Sequence, residues 1–396
     1  LSDEDLIMSA TSALATGGYT GLKQVEPGLP SHFYYDPEHH QRELRAVWYR
    51  NWIFVCRTDQ VMQPQSFRAV TIGDQNILVV RDKQRALHAF HNTCRHRGSV
   101  LCAEQEGKLR SKFIVCPYHG WGYGLDGTLV TVPGLGIADD FDMRDYPLYR
   151  VAVAEWGGCV FVRLEGSGGP VEEAIRPSAT RLANWPMAEL ATGYTVRTTL
   201  ACNWKVFWEN YSECYHCPGI HPELCNLVPI YGRSIMGQYD DPDWVSHRDD
   251  LDSKYRGGLR QDALTWSIDG RPNGTVFPRL TEEERSAGHR FVTMWPTMYM
   301  VGHIDHMRMV SMRPIGAEQT ELTVTWLFMP ETLAGRNFDL EKAVSFARLV
   351  VEQDGAACEL NQRGLRSRVH RHGVLMPQEY AVFAFHEWIR LNIANA

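Results

Sequence analysis

No apolar run in this sequence reaches the eighteen or so residues that a membrane-spanning helix needs. Positive charge is not in excess either. Lys and Arg number 40 against 47 Asp and Glu, a formal net charge of −7, so neither nucleic acid nor an anionic membrane is the expected partner. The sequence starts LSDEDLIMSATSALATGG, acidic, without Met and without the basic stretch that opens a signal peptide. Internal repeats and low-complexity tracts are lacking, which removes solenoids and disordered linkers. Ten cysteines in 396 residues are too few for a disulfide scaffold. They lie close to histidines, which fits metal-bound thiolates in a reducing cytoplasm.

Apolar residues make up 44 % and charged residues 22 % of the sequence, the composition of a packed globular protein. The length predicts two domains. Residues 1–44 read as a helical lead-in, with amphipathic stretches over 2–15 and 37–52. Residues 45–165 carry short β-rich runs broken by turn signals: Gly73-Asp74, Asp126-Gly127 and Gly157-Gly158. Gly166-Ser167-Gly168-Gly169-Pro170 marks a boundary, since such a run neither continues a strand nor packs a core. Residues 170–396 mix helical spacing (203–216 and 338–365) with β-rich runs (290–314 and 320–330). The fold class expected is α+β: an all-β N-terminal domain, then a domain with an antiparallel sheet flanked by helices.

The chemistry concentrates in two places. In CRHRGSVLCAEQEGKLRSKFIVCPYHGW (94–121), Cys94 and His96 form one mixed pair and Cys116 and His119 another, with nineteen residues between His96 and Cys116. A single Zn²⁺ would take all four as a Cys₂His₂ site. A [2Fe–2S] cluster would take the cysteines on one iron and the histidines on the other. Mixed pairs favour the cluster, because each of two loops then offers one ligand to each iron. Cys102 belongs to neither pair and reads as a buried thiol. Gly122-Tyr-Gly-Leu-Asp-Gly127 matches G-x-G-x-x-G, but no strand precedes it and no helix follows, so it reads as a hairpin turn.

The second place is ENYSECYHCPGIHPEL (209–224). His216 and His221 are five apart, which on one helix leaves them about 140° apart around the axis. Pro218 and Gly219 are expected to break the helix after His216 and let His221 fold back. Two histidines and a carboxylate make a facial triad that leaves positions open on Fe(II). Asp354, among apolar neighbours in LVVEQDGAACEL, is the carboxylate expected, since an acid there is costly unless paired or metal-bound. Glu352 competes from a different helix face. His303, Asp305 and His306 could also bind metal, but strand alternation puts 303 and 305 on one face and 306 on the other, which suits a strand end lining a pocket.

Cys-x-His and Cys-x-x-His, then Glu-x-x-His-x₄-His, then an Asp late in a helix together resemble the terminal oxygenase (alpha) subunit of the Rieske non-haem iron oxygenases, over nearly the whole chain. The nineteen-residue spacing is slightly longer than usual in that family, and EQEG (104–107) can hold the extra residues as a loop bulge. The resemblance implies a Rieske [2Fe–2S] cluster on Cys94, His96, Cys116 and His119, and Fe(II) on His216, His221 and Asp354. It implies that Glu213, where Asp is commoner, relays electrons between the two centres across a subunit interface, and hence a homotrimer. A separate NAD(P)H-dependent flavin reductase is implied as electron donor.

Glu213 and the runs QDGAACELNQRGLRS and HGVLMPQEYAVFAFHEW look most like the branch acting on quaternary ammonium compounds: glycine betaine, proline betaine, choline and carnitine. Hydroxylation of an N-methyl group there releases formaldehyde. Such a cation is recognised by aromatic faces, and the residues taken as pocket lining are Trp208, Tyr211, Cys217, Trp295, Tyr299 and Val350; Trp266 and Phe277 are further aromatic candidates. An aromatic-ring hydroxylase, an O-demethylase and an electron carrier without catalysis are the rival readings.

Overall fold

The computed structural model describes residues 18–134, 138–166 and 169–395, so the helix expected over 2–15 and the Ser167-Gly168 step of the expected boundary lie outside the described residues. The chain divides into two compact units. One comprises residues 48–177 together with Met294–Thr297; the other comprises residues up to 47, 178–293 and 298 onward. The segment before residue 48 thus groups with the C-terminal half. Among the described residues, no helix is long and apolar enough to cross a membrane.

The described chain opens with strand β1 (Glu26–Pro30) and helix α1 (Pro37–Glu43). Asp36 caps α1 by accepting the N–H of Glu38 at 2.7 Å, and Pro37 takes the first helical position, where no N–H is needed. A wider helical turn over Leu44–Trp48 follows. The helical run expected over 37–52 therefore stops at Trp48.

The β-rich unit is built from β2 (Ile53–Arg57), β3 (Ser66–Ile72), β4 (Gln75–Arg81), β5 (Leu87–His91), β6 (Glu106–Lys108), β7 (Ile114–Val115), β8 (Gly122–Tyr123), β9 (Leu129–Thr131), β10 (Arg150–Trp156) and β11 (Cys159–Arg163). Seven of them form a sheet in the order β2-β11-β10-β5-β4-β3-β6, and β7-β8-β9 form a small one. Hairpins turn at Gly73-Asp74 and Gly157-Gly158, with Ile72 opposite Gln75 and Trp156 opposite Cys159. Asp126-Gly127 turns β8 into β9, and the Asp126 carboxylate accepts the N–H of Thr128 at 3.1 Å. Phe67, Leu78, Val80, Phe90, Ile114, Tyr123 and Leu148 form a core that also holds Cys94 and Cys116.

In the other unit, β12 (Ala191–Leu200) leads into helix α2 (Trp204–Tyr211), and β13 (His289–Met294), β14 (Met298–His303), β15 (Met307–Gly316) and β16 (Gln319–Phe328) follow. They form a five-stranded sheet ordered β12-β16-β15-β14-β13. Helix α3 (Leu340–Leu365), β17 (His372–Leu375) and helix α4 (Tyr380–Ala394) complete the unit, with β17 antiparallel to β1. Helix α3 buries Ala343, Ala347, Val350, Val351, Gly355 and Cys358, a stripe at three- and four-residue spacing. Gly355 lets α3 approach the sheet: a Cβ there would meet Leu200 Cδ2 at 3.0 Å.

A buried polar network joins α1 to α2. The Glu43 carboxylate, wholly buried, takes Lys205 Nζ at 2.7 Å, Trp204 Nε1 at 2.9 Å and His39 Nε2 at 3.0 Å. Lys205 Nζ also donates to Asn203 Oδ1 at 2.8 Å and to the Phe33 carbonyl at 2.9 Å. Every member has its partners, so the charges are compensated and the start of α2 is fixed.

Candidate metal centres

Cys94 and His96 follow β5, and Cys116 and His119 lie between β7 and β8. The two loops repeat one hydrogen-bond pattern. Gly98 N donates to Cys94 O and Gly120 N to Cys116 O, both at 3.0 Å; Cys94 N donates to Ser99 O and Cys116 N to Trp121 O, both at 2.8 Å. Gly98 and Gly120 have φ of 75° and 73°, a left-handed turn that glycine adopts without strain. Two equivalent loops therefore present one Cys and one His each. The His96 and His119 rings lie 4.6 Å apart, and His96 stacks on Trp121 at 4.9 Å.

This geometry separates the two metals the sequence leaves open. Zinc bonds of about 2.0–2.3 Å bring all four donors within about 4.6 Å of one another. Among the described residues, only His216, His221 and Asp354 gather three donor atoms within 4.8 Å, so the Cys/His loops are too open for one zinc. A two-iron cluster fits the wider spacing and the twofold repeat. Burial pushes the Cys94 thiol up, which a bound cation reverses. Tyr123, also buried, places its hydroxyl 3.2 Å from Cys94 Sγ while accepting the Arg95 N–H at 3.1 Å. Cys102 is buried apart from both pairs, its thiol pushed up to about 11 by burial.

The second donor set is carried by α3 and by the turns after α2. Helix α2 ends at Tyr211, five residues earlier than expected. Ser212 Oγ bonds back to Trp208 O at 2.7 Å, and the Glu213 carboxylate takes the backbone N–H groups of Tyr215 and His216, starting a new turn. Pro218 and Gly219 fall inside the short turn Cys217–Ile220 that follows, rather than ending the helix.

His216 and His221 then face each other, with ring centroids 5.2 Å apart. His221 Nε2 lies 2.8 Å and His216 Nε2 3.5 Å from the same Asp354 oxygen. Each imidazole is held from its other nitrogen: His216 Nδ1 by Glu213 Oε1 at 2.6 Å, His221 Nδ1 by Gln353 Oε1 at 2.7 Å. Both Nδ1 atoms thus donate, and both Nε2 atoms turn to the common point. Burial opposes charge on His216, but the Asp354 and Glu213 hydrogen bonds outweigh it and raise its pKa to about 9. The same histidines hold the Asp354 carboxyl low against burial. Such a set holds one cation tightly and suits an iron with open positions.

Glu352 is largely exposed, beside Arg348 at 3.9 Å, and takes no part. Glu213 and His216 meet as expected, although on a turn rather than on one helix. Gln353 escaped the sequence reading; the signal was its place beside Asp354. The disulfide between Cys214 and Cys217, whose Cα atoms are 4.9 Å apart, was also missed; Cys217, taken as pocket lining, is one of its two members. Its C-x-x-C spacing was the available signal.

Of the other expected pocket residues, Trp208, Tyr211 and Tyr299 meet. Tyr211 stacks on Tyr299 at 3.7 Å, and Trp208 lies 5.6 Å and 6.1 Å from them. Val350 packs with Cys217, Trp266 and Phe346. Trp295 stands in Met294–Thr297, the segment that groups with the β-rich unit. Phe277 is buried, its N–H bonded to the Ile304 carbonyl. His303, Asp305 and His306 do not alternate along a strand. β14 ends at His303 and the three form a buried hairpin turn, with Asp305 accepting from Thr265 at 2.7 Å and His306 at 2.9 Å.

The Rieske [2Fe-2S] domain family matches residues 51–142, and the ring hydroxylating alpha subunit (catalytic domain) family matches residues 187–395. The glycine betaine monooxygenase oxygenase subunit of Chromohalobacter salexigens is 32 % identical over 98 % of this chain and 93 % of its own. The chloroplastic choline monooxygenase of Beta vulgaris is 29 % identical over 91 % of this chain and 76 % of its own. The quaternary ammonium Rieske monooxygenase CntA, solved with L-carnitine, superposes with a TM-score of 0.68 at 20 % identity over 98 % of both chains, which shows the shared fold.

Proposed function

The chain belongs to the family of Rieske ring-hydroxylating oxygenase alpha subunits, and from that premise we propose that it is the oxygenase component of an N-demethylase for a quaternary ammonium compound such as a betaine. The observation that carries the reading is the pairing of two donor sets in one chain with an aromatic cluster built on the helix that leads to the triad. We assign the cluster to Cys94, His96, Cys116 and His119, and the Fe(II) to His216, His221 and Asp354. When bound, the cluster delivers electrons and the Fe(II) uses them with O₂ to oxidise a C–H bond.

The residues of the chain prepare that chemistry. Glu213 and Gln353 hold the two imidazoles with Nε2 turned to the point where the ion would sit. Glu213 is also the electron relay we assign between centres, its carboxylate being bonded to a triad histidine. Tyr211 and Tyr299, with Trp208 at the edge of their stack, offer π faces to a permanent cation, about 0.5–2 kcal/mol per contact. The overall step balances: an N-methyl group, O₂, two electrons and two protons give an N–CH₂OH group and water. The carbinol then loses formaldehyde and a proton and leaves a tertiary amine. A separate NAD(P)H-dependent flavin reductase supplies the electrons. We further propose a homotrimer in which the cluster of one subunit serves the triad of the next, working in the cytoplasm, where NAD(P)H is available.

The test combines the purified chain with such a reductase and measures O₂ uptake, formaldehyde and tertiary amine on glycine betaine, carnitine and choline. One formaldehyde per O₂ on at least one of them supports the reading. Absence of formaldehyde on all three, with turnover on aromatic rings or methyl ethers instead, replaces it with a ring hydroxylase or O-demethylase.

A further inference from the structure

Arg308 sits in the middle of a sheet. It lies on β15, opposite Val301 of β14 and Trp326 of β16, two residues from Val310, which faces Tyr299. Side chains opposite one another, and two apart along a strand, share a face. Arg308 therefore projects to the face that bears Tyr299 and its stack on Tyr211. Only 3 % of it is exposed. Its Nε and Nη1 atoms are buried without a hydrogen-bond partner. No described carboxylate pairs with it; its close contact is the indole of Trp266, 5.1 Å from the guanidinium carbon.

The surroundings are polar, and the carboxylates among them are already engaged, Asp305 by Thr265 and His306, Asp354 by His216 and His221. His289 Nδ1, both ring nitrogens of His303 and Trp266 Nε1 are likewise buried and unpartnered. Burial, with Arg308 nearby, lowers the pKa of His289 to about 4 and that of His303 well below the usual value, so both rings are neutral. Tyr299 feels the charges of both Arg308 and Asp354, which puts the guanidinium within electrostatic reach of the same tyrosine as the triad.

A buried guanidinium without a counter-charge is strongly unfavourable, and one cation–π contact offsets only part of that cost. A neutral hydrophobic side chain would serve a core better. What suits this position is an anion supplied by the ligand, and the planar fork of arginine matches a carboxylate through two parallel hydrogen bonds.

We propose that Arg308 is the carboxylate anchor of the substrate pocket and sets its specificity: the substrate is a zwitterion, with a carboxylate on Arg308 and its quaternary nitrogen against the Tyr211–Tyr299 stack. This rests on the reading of the chain as a quaternary-ammonium N-demethylase and narrows it. An amino alcohol such as choline presents the same cation with no charge for Arg308, and its net positive charge is repelled there. The betaine carries both charges and meets both partners.

The experiment uses the enzyme with both metal centres loaded, glycine betaine and choline as probes, and two readouts: calorimetric binding and formaldehyde release with the reductase. The wild type is expected to bind glycine betaine at least about tenfold more tightly than choline. Arg308→Gln is expected to lose about 100-fold in affinity for glycine betaine, the worth of a charge-assisted pair, and to leave choline unchanged or better bound. Arg308→Lys keeps the charge, loses the fork and falls between; it also serves if the Gln variant does not fold. Retention of glycine betaine affinity within about threefold by either variant, with iron content and cluster absorption intact, overturns the assignment. So does a wild type that prefers choline, or an equal loss for both probes. Failure of the underlying reading looks different: the wild type then releases formaldehyde from none of glycine betaine, carnitine and choline.

Discussion

Tyr123→Phe removes a single hydroxyl from the cluster loops, and its effect can be worked out from the structure. The hydroxyl is fully buried, 3.2 Å from Cys94 Sγ. A metal-bound thiolate has no proton to give, so the tyrosine is the donor. Hydrogen bonds to charged acceptors contribute about 1.5–3 kcal/mol. The bond strengthens when an added electron makes the sulfur more negative, so only part of that energy, about 1 kcal/mol, distinguishes the reduced from the oxidised cluster. About 1.4 kcal/mol corresponds to about 59 mV for one electron, which puts the midpoint potential about 40 mV lower in the variant. The space left by the hydroxyl is too small for a water, so nothing replaces the donor. A potentiometric titration followed by circular dichroism or electron paramagnetic resonance reads the shift. A fall of about 40 mV with unchanged cluster content is expected; a change below about 10 mV, or a rise, refutes the reasoning.

Other perturbations reach the remaining parts of the account. Asp354→Ala should lose the mononuclear iron and keep the visible absorption of the cluster; metal analysis with spectroscopy checks it, and loss of the cluster instead would show the triad to be misplaced. Glu213→Gln keeps the shape of the side chain but weakens its hold on His216, so iron affinity should fall by about 10–100-fold in chelator competition, and formaldehyde release should collapse even at saturating iron. Glu43→Gln leaves Lys205 as a buried uncompensated charge and should destabilise its unit by about 3–5 kcal/mol in urea unfolding. Adding Lys205→Met should restore most of that loss; a double variant as unstable as the single one would mean that the charge is not the cause.

Much of this was legible in the sequence, for physical reasons that differ from element to element. The hairpins at Gly73-Asp74, Asp126-Gly127 and Gly157-Gly158 could be read because turn chemistry is local. The long helix α3 could be read because its apolar stripe recurs at helical spacing. The choice of Asp354 over Glu352 followed from burial: one faces His216 and His221, the other faces solvent beside Arg348. What the sequence hid depends on side chains that act on the backbone or across the fold. The early end of α2 follows from Ser212 and Glu213 bonding to nearby backbone groups, which helical spacing does not record. Gln353 and the Cys214–Cys217 bond left only thin signals, a place beside Asp354 and a C-x-x-C spacing, which the fold made plain. Arg308 looked like one more charged residue in a Met-rich strand. Only the register of β14, β15 and β16 shows it to be buried on the face of Tyr299.

The central claim is that one chain holds two different iron centres, the first on the mixed Cys/His loops and the second on the triad. Iron and acid-labile sulfide measured on the same purified sample test it most directly. About three irons and two sulfides per chain are expected, with one iron removed selectively by a mild chelator while the cluster spectrum survives. One zinc and no sulfide, or two irons and two sulfides with nothing left for the triad, would contradict it.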